Sequence, residues 1–215
     1  MKSTKSKFTT KQLTVIALLT SIAYAIMVVG RIPMVAFLKY DPKDIVIMLG
    51  GMAFGPAVTV LMSLITSVIE FMTVSDTGFV GLFMNVLSTV AFATLATIIY
   101  KKKPNNKTLI IALAAGTILM TIVMVVWNYL VTPFYLDIPQ EAVVGMLLPI
   151  IVPFNIIKAG INSGIIFMIH KPVLQVFERH NLIDTNTNNQ KSSNYLVAII
   201  LIFSALILLK MVQGL

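Results

Sequence analysis

Residues 45–73, IVIMLGGMAFGPAVTVLMSLITSVIEFMT, admit two readings, and the choice between them sets the topology of the whole chain. The 215 residues are 58% hydrophobic and 11% charged, against about 45–50% and about 25% in soluble domains. An integral membrane protein is therefore expected. The stretch is either one long helix or two helices reversed at Phe54-Gly55-Pro56, since glycine and proline punctuate regular structure. Charge parity decides. With a reversal there, the basic segments (Lys2, Lys5, Lys7 and Lys11; Lys101, Lys102, Lys103 and Lys107; Lys171, Arg179 and Lys191) fall on one side of the membrane, eleven residues in all. The other side then holds Arg31, Lys39 and Lys43 with six of the eight acids: Asp41, Asp44, Glu70, Asp76, Asp137 and Glu141. A single crossing would put Lys101 to Lys107 opposite the N-terminus, against the cytoplasmic bias of basic loops. The spacing thus predicts a hairpin. Its first arm, about nine to twelve residues or roughly 14–18 Å, is too short to cross alone, so it borrows the preceding loop or stops short. Gly50 and Gly51 mark that arm as closely packed.

Working outward, apolar runs occupy roughly residues 13–30, 45–53, 57–73, 79–100, 108–132, 145–169 and 195–209. The expected fold is all-α, a polytopic membrane bundle of six helices in which helices 2 and 3 form the short hairpin. A seventh C-terminal helix stays open, because the last run has only fifteen residues before Lys210 and is marginal for a crossing. The chain divides into a six-helix domain at 1–180, a polar linker at 181–194 and a hydrophobic segment at 195–215. Residues 1–25 also match the three-part signal-peptide pattern, ending in Ala23-Tyr24-Ala25. Hydrophobicity continuing through Val29 favours a retained first helix, with the N-terminus cytoplasmic in a multi-pass cell-membrane protein.

Composition removes whole classes of function. With no cysteine, and with His170 and His180 ten residues apart, neither a disulfide nor a metal centre is expected. The net charge of +8 belongs to basic residues beside apolar runs, where it signals topology rather than nucleic-acid binding. No phosphate-binding glycine loop, H-E-x-x-H or serine nucleophile elbow occurs, so neither ATP hydrolysis nor another enzymatic activity is expected.

Intramembrane polar groups are costly without a partner and therefore informative. Asn155, Lys158 and Asn162 stand at i, i+3 and i+7, within about 60° on one helix face. Snorkelling does not explain Lys158 toward the Lys171 edge, thirteen residues away or roughly 19 Å. A helix beginning near Pro149 or Pro153 would let it snorkel outward; otherwise it needs a ligand or an internal partner. Trp127 and Tyr129 suit an interface belt, but Asn128 between them does not. Asn85, with Ser88 and Thr89, gives the fourth run a polar face that either a ligand or helix-to-helix hydrogen bonding explains. The acids Glu70, Asp76, Asp137 and Glu141 read as solvated loop charges, and paired acids within the membrane are not visible. Ala17, Ser21 and Ala25, at spacing four, permit the close approach of another helix.

Four segments, FLKYDPKD (37–44), GGMAFGP (50–56), WNYLVTPFY (127–135) and PQEAVVGMLLPIIVPFNIIKAGIN (139–162), together resemble the riboflavin-specific S components of energy-coupling factor transporters, in order and from about residue 8 to 180. The resemblance implies six helices, a vitamin bound near the extracellular side under the first outer loop, and three partners: a membrane scaffold (the T component) and two ATPases. It implies no cofactor, riboflavin being the transported ligand. It also places the scaffold against Ala17, Ser21 and Ala25, where serine replaces the family's alanine, and it does not require the extension after residue 185. The expected binding residues are Leu38, Lys39, Tyr40, Asn85, Trp127, Asn128, Asn155, Lys158 and Asn162. Riboflavin is uncharged, and its uracil-like edge donates and accepts hydrogen bonds, as asparagine amides also do. Lys158 is the one buried lysine expected, whereas an anionic vitamin would favour further cations. An S component for a different vitamin, or a non-transport membrane subunit, remains the alternative.

Overall fold

The computed structural model describes residues 8–183. Helix α1 (Thr10–Gly30) opens on a capping box: the Gln12 N–H donates to Thr9 Oγ1 at 3.2 Å, and the Thr9 N–H donates to Gln12 Oε1 at 2.9 Å. An antiparallel ribbon follows, β1 (Ile32–Val35) and β2 (Leu38–Tyr40), with Ile32 opposite Tyr40 and Val35 opposite Leu38. The remaining helices are α2 (Lys43–Phe54), α3 (Pro56–Thr73), α4 (Gly78–Lys102), α5 (Asn106–Leu136) and α6 (Gln140–Arg179).

The reversal falls where the glycine and proline put it. Gly55 has φ 109°, a conformation that side chains disfavour, and Pro56 opens α3. Five of the helices are long and apolar enough to cross a membrane. The sixth, α2, has 12 residues, or about 18 Å, and lies at the centre of the bundle with only Phe54 outside the buried set. Its glycines make that position possible: a Cβ on Gly50 would strike Met62, and one on Gly51 would strike Thr59 and Thr97.

The ribbon gives the first outer loop a regular structure that its sequence did not announce. Its turn is Ala36-Phe37, and Ala36 takes φ 48° without the glycine or asparagine that normally marks such a position. Helices α4 and α6 each contain a π-turn, at Val90–Thr94 and Leu147–Ile151. The second holds Pro149, which has no N–H for the regular ladder. Beside the first, Gly116 lets α5 approach the Phe92 carbonyl, where a Cβ would lie 2.5 Å from the oxygen.

Charge separates the two ends of the bundle as the parity argument required. At one end Lys11 Nζ donates to the His180 carbonyl (2.6 Å), Gln12 Nε2 to that of Leu182 (2.8 Å) and Lys101 Nζ to that of Ala53 (3.3 Å). At the other, Tyr24 Oη and Thr73 Oγ1 share a hydrogen bond of 2.8 Å, Arg31 at the end of α1 is ion-paired to Glu70 of α3, and Lys39 of the ribbon to Asp76 in the loop after α3. The linker from residue 184 and the hydrophobic run 195–209 lie outside the described residues.

Candidate functional site

At the ribbon end, charges from α2, α3, α6 and the connections flanking the ribbon meet in one chain, with neutral partners from α4. Glu70, near the end of α3 and 3% exposed, accepts hydrogen bonds from Lys43 Nζ (2.7 Å), from Asn85 Nδ2 (2.8 Å) and from Arg31 at the end of α1. Lys43, at the start of α2, is fully buried and lies 3.7 Å from Asp41. Asp41 is 3.9 Å from Lys158 Nζ on α6, and Asp44 is 3.4 Å from the same ammonium. Asp44 is anchored from two sides: Thr89 Oγ1 donates to it at 2.6 Å and Asn162 Nδ2 at 3.5 Å. Asn162 Oδ1 in turn accepts from the Tyr40 hydroxyl at 2.9 Å.

Three readings of the sequence are corrected by this chain. Glu70 is buried rather than solvated; Asp41 and Asp44 do form paired acids inside the protein; and Lys43 is a second buried lysine beside Lys158. The reason is common to all three. A buried ammonium without a counter-charge costs several kcal/mol, so acids adjoining the outer loops are drawn in against Lys43 and Lys158. Burial pushes the Asp41 carboxyl up, but Lys158, Lys43 and Arg31 outweigh it and hold the group below the usual carboxylate range. Asp76 remains outside at 59% exposure, and its partner Lys39 holds its carboxyl below the usual range as well.

Above Lys158 a small cleft of about 30 Å3, partly open to solvent, lies between the ribbon and helices α4, α5 and α6. Small-molecule sites run from about 300 to 1,000 Å3, so the cleft must widen to take a ligand of that kind. Leu38, Lys39, Asn85, Asn128, Asn155 and Lys158 line it, together with Met84, Ser88, Met124 and Phe154. Asn128 is fixed by its own helix: its Nδ2 donates to the Met124 carbonyl (2.7 Å) and its Oδ1 accepts from Thr132 Oγ1 (2.9 Å). Asn155 Nδ2 likewise donates to the Ile151 carbonyl at 2.8 Å. A primary amide has two N–H donors and two acceptor lone pairs, so each held amide still has a second N–H to offer.

Of the nine expected binding residues, six line the cleft. Tyr40 and Asn162 stand behind Lys158, bonded to each other and, through Asn162, to Asp44. Trp127 packs against the main hydrophobic cluster instead; one residue from Asn128 is about 100° around the helix. Ala17, Ser21 and Ala25 are exposed on α1, on a different face from the buried Ile16, Thr20, Ala23 and Met27. The residues missed are Asp41, Lys43, Asp44 and Glu70 around the cations and Met84, Met124 and Phe154 on the cleft wall. The unpaired charge of Lys158 was a signal that acids had to be near it. The methionines and Phe154 carried none that set them apart from ordinary core residues.

The chain matches the family described as ECF transporter, substrate-specific component, over residues 11–170. It is 31% identical over 178 residues to the riboflavin transporter RibU of Staphylococcus aureus (strain TCH60), covering 79% of this chain and 93% of that protein. It is 28% identical to the riboflavin transporter FmnP of Bacillus subtilis (strain 168), covering 73% and 88%. A solved structure described as "Structure and mechanism of the S component of a bacterial ECF transporter" superposes with a TM-score of 0.66 at 30% identity, over 79% of this chain and 98% of the other. A family match across three quarters of the sequence and a like-folded S component along almost its whole length lead to one conclusion: this multi-pass membrane protein belongs to the substrate-specific components of energy-coupling factor transporters.

Proposed function

We propose that the chain binds riboflavin in the cleft beneath the ribbon and passes it inward in a complex with a membrane scaffold component and two ATPases. The observation that supports this reading is the set of three amides and one buried ammonium, Asn85, Asn128, Asn155 and Lys158, converging on a cleft whose apolar wall is Leu38, Met84, Met124 and Phe154. Amides match a uracil-like edge in both donor and acceptor roles, Lys158 donates to a flavin carbonyl or a ribityl hydroxyl, and Leu38, Met84, Met124 and Phe154 bury the ring. Relatives named as riboflavin transporters support the same substrate.

The chain acts as a binding subunit, not an enzyme, and needs no cofactor. Energy comes from its partners, and the exposed face of Ala17, Ser21 and Ala25 is where a scaffold helix packs closely. The N-terminus and the lysine-rich end lie in the cytoplasm, which places the cleft on the extracellular side. The test is uptake of labelled riboflavin into proteoliposomes carrying the chain alone or with the scaffold and ATPases. ATP-dependent accumulation by the full complex and none by the chain alone is expected. Absence of uptake by a complex that hydrolyses ATP and contains the chain would overturn the reading.

A further inference from the structure

We infer that Asp44, supported by Asp41, is a specificity-determining residue: it cancels the charge of Lys158 at the cleft wall, so that the cleft takes an uncharged flavin and discriminates against its phosphate ester. The inference rests on the riboflavin reading and concerns what that site refuses.

Lys158 is the buried cation on the cleft wall, and its ammonium faces two carboxylates, at 3.4 Å and 3.9 Å. Asp44 does not reach it by chance of rotamer. Thr89 and Asn162, from two different helices, hold the carboxylate in place, and it has no exposed surface. Around Lys158 the whole buried cluster balances: Arg31, Lys43 and Lys158 supply three positive charges, and Asp41, Asp44 and Glu70 three negative ones. The cleft's other cation, Lys39, is paired with Asp76. A ligand entering the cleft therefore meets hydrogen-bond donors without a net positive field. For a neutral flavin this is sufficient, since a paired ammonium still donates. For a phosphate carrying about two negative charges it is not, because the lost hydration is not replaced by an unpaired cation.

Removing one carboxylate while keeping its shape should reverse the preference. Asp44→Asn retains an oxygen to accept from Thr89 and leaves the cluster one positive charge in excess. A unit charge in a partly buried site changes anion binding substantially, so the ratio of affinities, riboflavin 5′-phosphate over riboflavin, is expected to rise by about tenfold or more. Asp41→Asn is the second variant. It removes a carboxylate at the same ammonium without disturbing Thr89 or Asn162, and the Asp41 Oδ1 atom has no hydrogen-bond partner among the described residues. It should shift the ratio in the same direction if Asp44→Asn does not yield folded protein.

The experiment is equilibrium titration of both flavins against the purified wild-type chain and each variant, followed by flavin fluorescence. Tighter phosphate binding relative to riboflavin in a folded variant supports the inference. Equal weakening of both flavins, with the ratio unchanged in the folded variants, would overturn it and leave these acids a structural role. Failure of the wild type to bind either flavin would instead overturn the riboflavin reading, and this inference with it.

Discussion

Glu70→Ala takes the hub out of the buried chain, and the structure sets the size of the effect. Glu70 is the acceptor for three donors on three elements, Arg31, Lys43 and Asn85, and is itself 3% exposed. Alanine leaves Lys43, which has no exposed surface, with only Asp41 at 3.7 Å. Breaking a buried pair from one side costs about 3–5 kcal/mol. Because Asp41 remains and Arg31, at 17% exposure, can turn toward water, the lower end applies, about 3 kcal/mol. For a chain of this size each kcal/mol moves the melting temperature by roughly 2–4 °C, so a fall of about 6–12 °C is expected. Glu70→Gln keeps an acceptor oxygen and should lose about half as much. The assay is thermal denaturation in detergent, read through the emission of Trp127, the only tryptophan. A melting temperature within about 2 °C of wild type for Glu70→Ala would mean that Glu70 is solvated and that the buried chain of charges is wrong.

Three further outcomes follow from the same geometry. Lys158→Ala removes a charged donor from the cleft and should cost roughly 1.5–3 kcal/mol of riboflavin binding, about ten- to a hundredfold in Kd by titration. Leu38→Ala strips the ribbon residue that packs on Ile151 and Phe154, and Tyr40→Ala breaks the hydrogen bond to Asn162; both should speed vitamin release in stopped-flow measurements, and an unchanged release rate would make the ribbon a mere connector. Ser21→Trp and Ala25→Trp load bulk onto the exposed face of α1 and should leave riboflavin binding intact while abolishing ATP-dependent uptake; if both activities survive, the scaffold docks elsewhere.

What the sequence made legible was what a local pattern or a global sum determines. The α2–α3 hairpin followed from charge parity and from Gly55-Pro56, and both acted as read, the glycine adopting φ 109°. The stripe Asn155, Lys158 and Asn162 was readable because a helix fixes which residues share a face. The partners of Lys158 were not, since Asp41 and Asp44 lie more than a hundred residues away and nothing local says which loop acid meets which buried cation. Glu70 was misread for a related reason: being near a helix end suggests water, but Lys43 and Asn85 approach it from other helices. The ribbon escaped because its strands have only four and three residues and its turn lacks glycine and asparagine. Trp127 was expected among the binding residues beside Asn128, whereas helix geometry turns it away from Asn128 and against the hydrophobic core.

The measurement that bears most directly on the central claim is equilibrium binding of riboflavin to the detergent-purified wild-type chain, with Lys158→Ala titrated beside it. One riboflavin per chain is expected, with flavin fluorescence quenched on binding and the variant weaker by about ten- to a hundredfold. Absence of saturable binding by the folded wild type would contradict the account, as would binding that Lys158→Ala leaves untouched.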